Sequence, residues 1–138
     1  MRIITSAILL LVLCACQSVE ETRLHNSVSE RITRQIQEYN TANASDVVAA
    51  RVKDGNFKFL GFSGVAPEPS FVPGLSQDDI RQLTNDKQYQ WEIFYYYHGR
   101  TDLGSAAEEK ALWDARVNYA ERVNRKILEE IRKQPAKK

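Results

Sequence analysis

The side chains able to do chemistry in this chain are few and scattered. Two histidines, His25 and His98, stand far apart with no second nitrogen or sulfur ligand at metal-ligand spacing from either, so no metal site and no cofactor are expected. The run Gly61-Phe62-Ser63-Gly64-Val65 invites comparison with a nucleophile elbow, which needs glycine two places after the serine, where Val65 stands; Ser63 reads as a strand-end residue. No glycine-rich phosphate loop with its lysine is present. Asp78-Asp79 and Glu108-Glu109 are paired acids that could share general acid-base work. Both pairs fall in expected first helical turns, where the helix dipole already favours negative charge. The densest group is Tyr95, Tyr96, Tyr97, His98 and Arg100, an aromatic and basic cluster of the composition that partner-binding surfaces favour, with sugar stacking as a variant.

The cysteines lie at the start of the chain. One arginine, an apolar stretch and then small residues form the layout of a secretory signal. The 13 residues from Ile3 to Ala15 would make a helix of about 20 Å, short of a bilayer core of roughly 30 Å, so a transmembrane anchor is disfavoured. Leu13-Cys14-Ala15-Cys16 resembles the lipobox of bacterial lipoproteins, a likeness that covers only the leader. It implies a diacylglycerol on the Cys16 thiol, cleavage before Cys16, and a further acyl chain such as palmitate on the new amino terminus. Each buried methylene adds about 0.8 kcal/mol of membrane affinity, so several chains make a durable anchor. Gln17, where retention in the inner membrane usually calls for Asp, favours the outer membrane, with the domain facing the periplasm. No cysteine follows Cys16, which excludes a disulfide within the mature chain.

The charge balance excludes another class of function. The leader holds one of the 19 basic residues and none of the 18 acidic ones, so the rest of the chain is neutral, and its charges interleave. That pattern lacks the one-sided basic footprint of a nucleic-acid binder. With 43% hydrophobic residues in 138, the composition suits a single folded domain. Residues 1–15 read as the signal peptide, 16–24 as a lipidated tether whose roughly eight residues from Gln17 to Leu24 reach at most about 28 Å, and 25–138 as one domain.

The elements that must position these residues follow from periodicity. Ser27-Val28-Ser29-Glu30 fits a capping box, and Val28, Ile32, Ile36 and Tyr39 form one apolar stripe, predicting a helix to about Asn40. From Val47, alternation through Val48, Ala50 and Val52, a turn at Asp54-Gly55 and strand formers at 57–62 predict a β-hairpin. Pro67, Pro69, Pro73 and Gly74 mark 64–75 as a loop, which Phe71 and Val72 could pin to the domain. Ser76 to Asp79, with Leu75 and Ile80 as a hydrophobic staple, opens a short helix to Thr84. Residues 87–98 read as a strand with Tyr89, Trp91, Ile93, Tyr95 and Tyr97 on one face. Ser105 to Glu108 opens a long helix over 106–133, striped by Leu112, Ala115, Tyr119, Val123, Ile127 and Ile131 and stopped before Pro135. Its Lys and Arg residues read as a solvated face.

These elements predict the α+β class: a small antiparallel sheet of about three strands packed with an N-terminal helix and a long C-terminal helix. The function expected is a membrane-anchored envelope lipoprotein, non-enzymatic, meeting an envelope protein partner and no nucleic acid. A cell-wall or glycan binding module, or an inhibitor of a wall-degrading enzyme, is the first alternative. A hydrolase with an unrecognised site is the second.

Overall fold

The computed structural model describes residues 2–63, 71–86, 89–95 and 104–135, with side chains from Val19 onward. In chain order it has α1 (Arg2–Thr41), α2 (Ala44–Lys53), β1 (Phe59–Ser63), α3 (Gln77–Thr84), β2 (Trp91–Tyr95) and α4 (Ala106–Lys133). The last helix has the predicted bounds. Ser105 caps it, accepting from the Glu108 amide while the Glu108 carboxylate accepts from the Ser105 amide. Ser76 and Asp79 do the same for α3.

The antiparallel sheet of about three strands is not what forms. The described residues hold four helices and two strands, and those strands run parallel, Phe59 opposite Trp91 through Ser63 opposite Tyr95. The fold is mixed α and β, but mostly helical. The expected first arm of the hairpin is α2. Ala44, Val47, Val48 and Val52 serve a helical face as well as a strand face, because a short apolar run satisfies both periods. Asn43 caps this helix by accepting from the Ser45 amide. Gly55, at φ +70°, ends α2 instead of turning a hairpin: its amide donates to Val52 C=O at 3.0 Å and the Asn56 amide to Arg51 C=O at 2.8 Å, a Schellman closure. With the hairpin gone, the chain passes from β1 through α3 to β2, and such a crossover permits the parallel pairing.

Helix α1 also differs from expectation, because it runs through the leader and the supposed tether instead of starting at Ser27. Residues 17–27 contain no proline or glycine to stop it. Its stripe faces inward as predicted, with Ile32 buried and Val28, Ile36 and Tyr39 half-buried. Among the described residues no helix is long and apolar enough to cross a membrane.

The hub of the packing is α4, which meets α1, α2 and β1. Leu112, Ala115, Ala120, Val123 and Ile127 are its buried face. All five residues of β1 are buried. Phe59 and Phe62, three apart and so on opposite faces, stack respectively on Trp91 at 5.3 Å and on Phe94 at 5.5 Å. Thus β2 packs with both faces, and Trp91 is half-buried. The other edge of β1 is closed by two devices. Phe62 exchanges backbone hydrogen bonds with Phe71, next to buried Val72. Fully buried Asn124 of α4 accepts from the Leu60 amide at 2.7 Å and donates to Leu60 C=O at 2.7 Å and Pro73 C=O at 3.0 Å, standing in for a third strand.

Candidate functional site

Where α1 ends against the middle of α4, the two inward stripes bring Tyr39 and Tyr119 together, with ring centroids 5.3 Å apart. One turn before Tyr119, Arg116 lays its guanidinium 5.9 Å from the Tyr39 ring centroid, a cation–π contact. One turn after it, the Arg122 guanidinium donates to Tyr39 C=O at 2.7 Å and to Ala42 C=O at 3.5 Å, closing carbonyls that the end of α1 leaves open. Arg51 of α2 donates to Lys58 C=O at 2.9 Å and to a Glu92 carboxylate oxygen at 3.1 Å. Tyr39, Phe62, Phe94, Arg116, Tyr119 and Ala120 line a notch of about 10 Å³, the room of a single water.

The electrostatics of this corner are unbalanced. Burial pushes the Tyr119 phenol above its ordinary value; the nearby Arg51 charge works against that and Glu92 adds to it, so the ring is neutral at physiological pH. Arg51 and Arg122 have acceptors. Arg116, half-buried, has its Nε–H buried with no hydrogen-bond partner, and among the described residues it forms no ion pair. The corner thus carries an excess of positive charge. It offers no activated nucleophile.

Of the sequence-predicted cluster, Tyr95 ends β2 with its side chain half exposed. Tyr96, Tyr97, His98 and Arg100 lie outside the described residues. Tyr95 directly follows Phe94, a wall of the notch, and as successive strand residues the two point to opposite faces of β2. Cys16 falls within α1, its side chain outside the description.

One acid of each pair, Asp79 and Glu108, is held in a helix cap. Ser29 of α1 donates to a Glu108 carboxylate oxygen at 2.7 Å, and this bond, then those from Ser105, hold the carboxyl below its ordinary range, with His25 adding a smaller pull. Because Ser29 bonds the carboxylate and not an imidazole, the group fastens α1 to α4 and is no proton relay. Asp79 is likewise lowered, first by Ser76, and meets Arg132 at 3.2 Å. Ser63 is buried within β1. Among the described residues no group of three His, Cys, Asp or Glu side chains could hold a metal ion. A wider groove of about 530 Å³ lies between α2 and the end of α4, but its acids Glu129 and Glu130 are paired with Lys126 and Lys133.

Sequence reasoning missed Tyr39, Arg116 and Tyr119 as a site. The available signal was Arg116 and Arg122 placed three residues to either side of Tyr119, at the border of the apolar stripe, where reading every base of α4 as solvated is least secure. No family model, no curated protein and no solved structure matches this chain.

Proposed function

We propose that this chain is a lipid-anchored envelope protein that binds a partner and performs no chemistry on it. The anchor is the set of acyl chains on Cys16, in the outer membrane and facing the periplasm. The contact surface is the end of β2, from Tyr95 onward. The observation that carries the binding reading is Tyr95, a large aromatic side chain half exposed at the end of β2.

The continuity of α1 supports the anchoring geometry. From Cys16 to Val28 the helix rises about 18 Å at 1.5 Å per residue. Its side chains from Val19 to Ser27 are exposed, so this stretch is an arm holding the packed domain off the lipid surface. Labelling cells with a palmitate analogue tests the anchor: the parent protein is labelled and fractionates with the outer membrane, while Cys16→Ser is unlabelled and unprocessed. Label on Cys16→Ser rejects the anchor. Tyr95→Ala tests the surface: its melting temperature stays within a few degrees of the parent, while crosslinking of the lipidated protein to its envelope neighbour falls. An unchanged crosslinking pattern rejects the surface.

A further inference from the structure

We propose that the outer edge of β2 pairs antiparallel with the same edge of a second copy of this chain, joining the two sheets into one. This deepens the binding reading above by naming the partner, and it rests on the end of β2 being the contact surface; it does not depend on the lipid anchor. The starting observation is the direction of the backbone groups. The Phe59 amide donates to Gln90 C=O at 3.1 Å, with Phe59 in register opposite Trp91. The amide and carbonyl of one strand residue point to the same side, and successive residues alternate. Gln90, Glu92 and Phe94 therefore address β1, while Trp91, Ile93 and Tyr95 address the other edge. Among the described residues nothing bonds the amides or carbonyls of those three. Such a row of open groups is a template for another strand. On the far side of the sheet, Asn124 and Phe71 close the corresponding edge of β1.

The residues of β2 favour its own copy as the occupant. Trp91–Tyr95 carries no proline, no lysine and no bulge, the devices that keep strand edges apart. Its one charge, Glu92, is taken up by Arg51 at 3.1 Å. Outward residues must face outward residues, and the register centred on Ile93 is the one that overlaps the whole strand. There Ile93 faces Ile93 of the second copy and Trp91 faces its Tyr95, with about six backbone hydrogen bonds, two at each such pair. Glu92 then stands opposite Phe94, so the two carboxylates do not meet; sliding the copies by one step toward the strand start would set Glu92 directly against Glu92. The centred register also lays Trp91 of each copy beside half-exposed Tyr95 of the other, an aromatic cross-strand pair that removes Tyr95 from water. In the joined sheet the outer strands are the two copies of β1, whose edges Asn124 and Phe71 already close. Strands this short make a weak, reversible dimer.

The test uses the full-length chain in detergent micelles over a series of protein concentrations up to about millimolar, where weak pairs with a Kd of that order form. Reductant is present so that Cys14 and Cys16 form no crosslink. Mass is followed by analytical ultracentrifugation and amide hydrogen exchange by NMR. The expected result is a dimer whose appearance slows exchange at Trp91, Ile93 and Tyr95 by at least about tenfold and leaves Glu92 and Phe94, already bonded to β1, unchanged. Ile93→Pro removes only an outward amide, so the β1 ladder persists while the dimer weakens by at least about tenfold, equivalent to 1.4 kcal/mol. A chain that stays monomeric throughout, a dimer with unchanged exchange at the three outward amides, or an undiminished Ile93→Pro dimer each overturns the proposal. If Ile93→Pro does not fold, the alternating exchange pattern of the parent chain still decides. If the three amides slow only when detergent-solubilised envelope proteins are added, the edge takes another protein's strand; the second copy is then rejected and the binding reading stands.

Discussion

Replacing Asn124 with leucine removes the amide that closes the outer edge of β1 while nearly conserving volume. Three buried backbone groups lose their partners: the Leu60 amide, the Leu60 carbonyl and the Pro73 carbonyl. Each unmet group costs about 1 to 3 kcal/mol. Burial of the leucine side chain returns about 1.5 to 3 kcal/mol. At mid-range values the expected net loss is about 4 kcal/mol, a large share of the roughly 5 to 15 kcal/mol that holds an ordinary domain together. Urea unfolding followed by Trp91 and Trp113 fluorescence measures it as a lower midpoint with unchanged slope, because the surface exposed on unfolding stays the same. At roughly 3 to 6 °C per kcal/mol for this size, the melting temperature falls by about ten degrees or more. Asn124→Asp adds a signature in pH. Its second oxygen would face the Leu60 and Pro73 carbonyls, raising the folded-state pKa of the new carboxyl; stability is then lost as pH rises through that value and partly returns on acidification. Stability of Asn124→Leu within about 0.5 kcal/mol of the parent would show that β1 does not depend on this amide and refute the reasoning.

Gly104→Ala should destabilise by about 1 to 3 kcal/mol, since its φ of +106° strains any side chain and the new Cβ would stand 2.9 Å from Ile32 Cδ1; an unchanged denaturation midpoint counts against this packing of α1 on α4. Burial raises the Tyr119 pKa in the folded state, so its contribution is complete below the ordinary phenol value of 10.0 and is lost as pH rises through the higher folded value. Tyr119→Phe should therefore flatten the alkaline loss of stability above pH 10, and an identical alkaline limb would contradict it. Ser29→Ala removes the largest influence lowering the Glu108 carboxyl; that stability is present above the ordinary value of 4.5 and lost as pH falls through the lower folded one. The difference between Ser29→Ala and the parent should thus be seen at neutral pH and vanish in acid, as chemical denaturation across a pH series would report.

The elements with local signals were legible from the chain itself. Helix α4 carries a capping box at Ser105, an unbroken apolar stripe and a stop before Pro135; α3 carries its own box at Ser76, and each signal concerns groups within a few residues of one another. The inward face of α1 was readable for the same reason, though its start was not, because the Ser27 box can cap a helix only where something prevents the preceding residues from joining it. The stretch 44–55 was ambiguous, since Val47, Val48, Val52 and Gly55 suit a hairpin arm with its turn as well as a helix with a Schellman closure.

Tertiary structure alone decided the sheet and the site. Nothing within β1 specifies that Asn124, 64 residues away, will take the place of a neighbouring strand, or that α3 will carry the chain over to a parallel partner. Whether Arg116 is a solvated base or an unmet donor likewise depends on Tyr39, Phe62 and Phe94 arriving from three other elements. Composition and spacing determine which faces of a helix or strand avoid water. They do not determine which faces meet, because hydrophobic burial is non-directional, and the polar groups enclosed at a junction are set by the packing that encloses them.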